Sequence, residues 1–178
     1  MIDDAVRHAA FAMCAAGERV AAFVAQPQVY RAVLAGRPDV ALHGLAGAPG
    51  GVRGYTTAIV EGVDTLDDPA GTLRAIAAAA PGARVVALVA NAAFALAIDA
   101  FVAGTAAGGH SFTASEIGPL FARAGLVPQQ IAPVYGGRVA NARLPLDVSA
   151  GHVKLRVESP AALESLQIAA FVVVAVAA

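Results

Sequence analysis

The feature that most constrains this chain is the alternation of short, almost wholly apolar runs with stretches of helical periodicity. Apolar runs bounded by Gly and Pro indicate buried strands, and they lie at Arg19–Ala25, Val40–Leu45, Tyr55–Val60, Ala83–Ala90, Leu126–Tyr135 and Ala170–Val176. Helices are expected between them, including Asp3–Ala16, Pro27–Gly36 and Ala92–Val102. Because parallel strands need helical crossovers, the order predicts one α/β domain over residues 1–178, with a Rossmann-like, mostly parallel, doubly wound sheet and helices on both faces.

Local signals predict where several elements begin and end. Asp68 followed by Pro69 is typical of a helix start, and Thr113 with Glu116 three residues later predicts a capping box. Proline cannot donate to a sheet ladder, so Leu126–Tyr135, which contains two prolines, is expected at or near a sheet edge. Residues 136–158 give no clear pattern.

Composition excludes several classes of partner. Hydrophobic residues make up 58% and charged residues 14%, which favours a layered protein or an oligomer. A net charge of −1 gives no footprint for nucleic acid or an anionic membrane.

The apolar run from Val85 to Val102 is interrupted by Asn91 and Asp99, so a strand, a turn and a helix are expected there and not a membrane span. Cys14 is the single cysteine, which excludes an internal disulfide and fits a cytoplasmic protein.

Candidate site residues follow the predicted strands. Glu61 and Asp64 come after Tyr55–Val60, and Asn91 comes after Ala83–Ala90. Ligands of open α/β sheets bind beyond the carboxyl ends of the strands, so these residues and His110 are expected around one crevice. Glu61 or His110 could act as a general base, with Asp64 and Asn91 lining a substrate cleft. The alternative is structural: Glu61 and Asp64 cap a turn, and His110 bonds a loop backbone.

Other reactive side chains do not form a recognisable site. The remaining histidines have no partner at ligand spacing, so no metal site is predicted; they are His8, His43 and His152. Ser111 and Ser115 are not flanked as the nucleophile of a hydrolase is. The tyrosines, among them Tyr30, are expected to pack at element ends with their hydroxyls in water.

Several segments between Tyr55 and Val134 follow one another in a recognisable order. They are the strand Tyr55–Val60, the acidic turn and Asp-Pro start of Glu61–Pro69, the Pro-Gly turn and strand of Pro81–Asn91, His110–Thr113, and Ala124-Gly125-Leu126. In this order, over about eighty residues, they resemble the second half of the class I S-adenosylmethionine-dependent methyltransferases, in particular the bacterial group that acts on small molecules. The resemblance implies the Rossmann-like fold of that family.

The first half departs from the family pattern. Such enzymes hold the cofactor on a glycine-rich loop after their first strand, and this sequence has no such loop. One alignment places Asp3–Ala16 on the family's first helix and Arg19–Ala25 on its second strand, with Gln26-Pro27 where an acidic residue would bind ribose. The other makes Arg19–Ala25 the first strand. On the first, favoured alignment the sheet lacks a central strand, so the remaining strands either come together or leave edges that a homodimer would cover.

Two functions are therefore open. The favoured hypothesis is a methyltransferase-like module that binds no cofactor and acts as a structural or interaction protein, as a homodimer. The alternative is an active or partner-completed methyltransferase that uses S-adenosylmethionine on a small-molecule ligand. The methyl acceptor cannot be inferred from the sequence under either hypothesis.

Overall fold

A computed structural model describes residues 4–14, 17–27, 30, 40–45, 54–105, 110, 112–136 and 143–178. Most of the predicted helix Pro27–Gly36 lies outside these ranges, and so do most of residues 46–54, whose four glycines and one proline predict a loop. The helices are α1 (Asp4–Ala12), α2 (Pro69–Ala79), α3 (Ala95–Val102), α4 (Ala114–Arg123) and α5 (Pro160–Gln167). The strands are β1 (Val20–Val24), β2 (Val40–Gly44), β3 (Thr57–Glu61), β4 (Arg84–Ala90), β5 (Leu126–Tyr135), β6 (Leu146–Ala150), β7 (Val153–Val157) and β8 (Ile168–Ala177).

A six-stranded sheet forms the centre of the fold, in the order β2-β1-β3-β4-β8-β5. The pairs β1–β2, β1–β3 and β3–β4 are parallel, whereas β8 runs antiparallel to both β4 and β5. The sequence predicts this mostly parallel α/β sheet correctly. Strand β1 pairs directly with β3, from Val20 opposite Thr57 to Val24 opposite Glu61. On the alignment that makes β1 the family's second strand, this pairing means that the remaining strands have come together.

Helices cover both faces of this sheet, as the sequence predicts. On one face α1 places Val6, Ala10 and Phe11 against alternate residues of the strands, including Ile59 and Leu88. On the other face α2 and α4 bury a second cluster, and its helical members are Leu73, Ile76, Ile117, Leu120 and Phe121. Strands that are buried on both faces read as continuous apolar runs, which explains the high hydrophobic content.

The predicted helix starts are confirmed. Asp68 accepts a hydrogen bond from the Gly71 amide, with Pro69 as the first residue of α2. Thr113 and Glu116 form the capping box of α4, and Glu116 accepts from the Thr113 amide at 2.7 Å. Strand β5 lies at the edge of the sheet, as its prolines predict.

The segment without a clear sequence pattern contains a hairpin outside the main sheet. Strands β6 and β7 pair antiparallel and form a separate two-stranded sheet. The turn of this hairpin sits on α3, where the Asp99 carboxylate accepts the His152 amide at 2.7 Å. Gly151, at a φ of 53°, packs so closely that a Cβ atom would lie 2.3 Å from a carboxylate oxygen of Asp99. Glycine is therefore favoured here by its backbone angle and by the space that Asp99 leaves.

Candidate functional site

The side of the sheet on which successive strands are added changes between β1 and β3. From β1 the chain continues to β2 on one side, whereas β3 and β4 extend the sheet on the other side. Tyr30, which follows β1, packs in the cluster of α1, whereas α2, which follows β3, packs in the other cluster. Open α/β sheets bind ligands at such a topological switch point, beyond the carboxyl ends of the strands. We call this place, formed by Ala25, Glu61 and Gly62, the switch-point crevice.

The two strand ends at the crevice are in close contact. The amide of Ala25 donates to the Glu61 carbonyl at 3.3 Å. Gly62 has a φ of 89°, and a Cβ atom on it would lie only 2.8 Å from the Cβ of Ala25. A residue with a side chain would be strained at Gly62 by its backbone angle and by this approach. At the crevice, the backbone at the end of β1 therefore packs directly against the backbone at the end of β3.

The Glu61 side chain is held by two residues on the α1 face of the sheet. Arg7 of α1 binds the carboxylate through both ends of its guanidinium, with Nε 3.0 Å from Oε2 and Nη2 2.7 Å from Oε1. The Tyr30 hydroxyl donates to Oε2 of the same carboxylate. The Arg7 and Glu61 side chains are only 11% and 13% exposed, so little water reaches this ion pair.

The electrostatics of the pair combine two opposing effects. Burial raises the pKa of Glu61, and the hydrogen bonds and charge of Arg7 only partly offset this rise. The hydrogen bonds with Glu61 raise the pKa of Arg7, which is charged at any relevant pH. A general base must reach a substrate proton, whereas both oxygens of Glu61 already accept hydrogen bonds from Arg7 or Tyr30.

Asp64 and His110 meet in the loop after β3. The backbone amide of His110 donates to the Asp64 carbonyl at 2.7 Å, and its ring Nε2 lies 3.0 Å from the Asp67 carbonyl, to which it can only donate. The ring stacks on Phe112 at a centroid distance of 6.1 Å. Burial raises the pKa of Asp64, whose Oδ1 is buried without a hydrogen-bond partner among the described residues.

Asn91 is buried at the end of β4, with 3% of its surface exposed. Its Nδ2 donates to the carbonyls of Ser165 and Ile168 at 3.0 and 2.8 Å, and its Oδ1 accepts from the Ala93 amide at 3.1 Å. The amide therefore ties the end of β4 to the junction between α5 and β8.

The four predicted residues all lie beyond the carboxyl ends of β3 and β4, but their side chains do not converge. Glu61 points to the α1 face, whereas His110 stacks on Phe112 of the opposite cluster. The sequence reasoning missed Arg7, and its expectation for Tyr30 was wrong, because Tyr30 is 1% exposed and its hydroxyl binds Glu61. The available signal was an arginine beside Val6 and Ala10 on the buried stripe of α1.

The described residues contain neither a metal-binding cluster nor a membrane-spanning helix. No cluster of three or more His, Cys, Asp or Glu side chains there is arranged to hold a metal ion. None of the helices in the described ranges has the length and apolar character that crossing a membrane requires.

Comparison with known proteins gives the class of fold. Neither a protein-family model nor a curated protein matches the chain. Among solved structures, the chain has the fold of the class I S-adenosylmethionine-dependent methyltransferases.

Three of these structures illustrate the likeness. One is a chain of the Haloferax volcanii complex between the Trm112 methyltransferase activator and a methyltransferase, with a TM-score of 0.63, 14% identity, and coverage of 97% of this chain and 88% of that one. The CcbJ methyltransferase from Streptomyces caelestis gives a TM-score of 0.57 at 13% identity, with coverage of 98% and 89%. The pyocyanin biosynthetic protein PhzM gives 0.60 at 15% identity, and the chain spans about half of it, 55%.

Proposed function

We propose that this chain is a cytoplasmic, non-catalytic module with a methyltransferase fold, which binds no S-adenosylmethionine and acts as a structural or interaction protein. The observation that carries the proposal is the occupied switch-point crevice. The place where open α/β sheets bind ligands holds the Arg7–Glu61 ion pair and the packed ends of β1 and β3. Within the described residues the Ala25 amide already donates to the Glu61 carbonyl, and the sequence has no glycine-rich turn directly after β1 that could offer free amides to a cofactor.

Calorimetric titration of the purified chain with S-adenosylmethionine and S-adenosylhomocysteine tests this proposal. We expect no binding heat and no rise in melting temperature at millimolar ligand. Binding in the micromolar range would contradict the proposal. Where a site variant is titrated beside the wild type, Gln129→Ala on the exposed edge strand serves as the matched surface control. Asn91→Ala is not suitable as that control, because it removes hydrogen bonds that hold the fold.

The second candidate is a methyltransferase that a partner completes. Two observations favour it: Asp64 keeps a buried carboxylate oxygen without a partner in the described structure, and one similar fold was solved with the Trm112 methyltransferase activator. In this case Glu61 or His110 would serve as general base towards a small-molecule acceptor, and Asp64 and Asn91 would line the cleft. Cofactor binding that appears only when the purified chain is mixed with a lysate fraction, and that Asp64→Asn abolishes, would favour this candidate.

We also propose that the chain forms a homodimer. The support is helix α3, which is apolar except for Asp99 and has no fully buried residue. Its Leu96, Phe101 and Val102 are 61%, 76% and 60% exposed. The charge of Asp99 is turned to the hairpin, and a net charge of −1 does not oppose self-association. An uncharged surface of this kind fits an equally uncharged one on a second copy.

A further inference from the structure

All three nitrogens of the Arg7 guanidinium donate hydrogen bonds to carboxylates. Its Nε and Nη2 bind the two oxygens of Glu61, and Nη1 donates to Asp4 Oδ1 at 3.0 Å. Its central carbon lies 5.3 Å from the centre of the Tyr30 ring. A bidentate carboxylate, a second carboxylate and an aromatic ring are together the chemistry that recognises a planar guanidinium.

A second arginine of the same sheet, Arg84, forms an ion pair whose geometry differs from that of Arg7 with Glu61. Arg84, at the start of β4, donates from Nη2 to the Met13 carbonyl and to both oxygens of Glu18, and from Nε to Thr57 Oγ1. The Glu18 carboxylate is bound by the single nitrogen Nη2 and not by two nitrogens of the guanidinium, as Glu61 is by Arg7. The Arg84–Glu18 pair also lies at the opposite end of the strands, away from the switch point, and so provides a matched control.

We propose that the switch-point crevice is a guanidinium-binding site, which the chain fills with its own Arg7 as an internal ligand. This inference rests on the proposed function, because it assumes that the crevice holds no cofactor. Glu61 supplies the charge and the fork geometry, and Tyr30 orients Glu61 through its hydroxyl and offers its ring. The ligand class is a small cation that carries a guanidinium group, such as an arginine side chain.

The site should then accept a diffusible guanidinium once Arg7 is shortened. Arg7→Ala leaves a buried, uncompensated carboxylate, which strongly destabilises a fold. A guanidinium that binds only the folded state restores stability by mass action. Methylguanidinium chloride is the probe, and tetramethylammonium chloride at equal concentration controls for ionic strength and for a positive charge that cannot form the fork.

The experiment measures the melting temperature of each variant in both salts. For Arg7→Ala we expect methylguanidinium to raise it by about 3 °C at roughly ten times the dissociation constant. Wild type, Arg84→Ala and the double variant R7A/E61Q should show no such rise. If Arg7→Ala does not fold unaided, its refolding yield is measured in the two salts, and an increase in methylguanidinium alone is expected.

Equal melting temperatures of Arg7→Ala in the two salts would overturn the inference, as would an equal rise for Arg84→Ala. Titration of wild type with S-adenosylmethionine separates this result from the proposed function. Cofactor binding by wild type contradicts the proposed function, whereas a failed rescue with no cofactor binding contradicts the guanidinium site alone.

Discussion

Asn91 is the predicted site residue whose structural role is clearest. Its side chain makes all of its described hydrogen bonds to backbone groups of the chain, and none of its polar atoms faces solvent freely. Asn91→Ala should therefore destabilise the fold by about 2–4 kcal/mol, because it leaves buried carbonyls without donors. Urea unfolding measures the change, and Gln129→Ala should change the free energy of unfolding little. A loss below about 1 kcal/mol would contradict the structural role.

Asp64 makes stability depend on pH in the opposite direction from a paired carboxylate. Burial raises its pKa in the folded state, so its contribution to stability is present at low pH and is lost as pH rises through that pKa. Asp64→Asn should thus stabilise the fold at pH 7, by an amount of the order of 1 kcal/mol, and the gain should disappear below about pH 4. Unfolding free energies at both pH values test this, with the exposed Asp67→Asn as control. A constant gain at both pH values would contradict the account.

The sequence could predict where polar residues follow strands, but not what they bind. Glu61 and Asn91 were correctly placed at strand ends, because strand boundaries are local features. The partner of Glu61 is Arg7, 54 residues away. The two meet because α1 packs over β4 and β8, which lie on the other side of β3 from β1. A pattern read along the chain contains no information on that approach.

At the scale of elements, the contact between α3 and the hairpin depends on one glycine. Gly151→Ala should destabilise the hairpin through both its positive φ and a clash with Asp99. Gly104→Ala is the matched control, because Gly104 has a similar φ of 68° with nothing within 4 Å of the added atom. We expect the loss of stability to be larger for Gly151→Ala by about 1 kcal/mol or more. Hydrogen exchange of the β6 and β7 amides locates the effect, and equal losses for the two variants would contradict the clash.

Elements with strong local signals were predictable, and the hairpin was not. Helix α4 has a capping box, an amphipathic stripe and a glycine at its end, so its bounds follow from neighbouring residues. Strands β6 and β7 alternate apolar residues such as Leu and Val with polar or charged ones. The sequence of residues 137–142, which precede β6, shows no such alternation. The pairing of β6 with β7 is stabilised by packing on α3 and α5, which are distant in sequence.

At the scale of the whole molecule, the proposed dimer should depend on α3. Phe101→Asp should convert a dimer to a monomer, because it places a charge in the middle of an apolar contact. Val127→Asp is the control, since Val127 is 44% exposed at the start of the edge strand β5. There Pro128 and Pro133 lack amide donors, so strand addition to that edge is disfavoured. Light scattering after size-exclusion chromatography measures the mass, and a wild-type monomer would contradict the homodimer.

The class of architecture was predictable because strands and helices alternate, but the order of strands in the sheet was not a property of the sequence pattern. The direct pairing of β1 with β3 was one of two outcomes left open for a sheet without a central strand. The choice between them depends on packing across the whole sheet, where Ala21, Ala22 and Ala58 are completely buried.

Strand β8 lies between β4 and β5, although it comes after both along the chain. Because β8 is the only described strand that pairs with β5, β5 leaves the ribosome without a partner in the sheet and stays unpaired until β8 has been made. The sheet closes only when this last strand inserts antiparallel between two strands that were made earlier. We therefore expect completion of the sheet to be a late step of folding, and until then the open side of β4 is exposed to other chains and to chaperones.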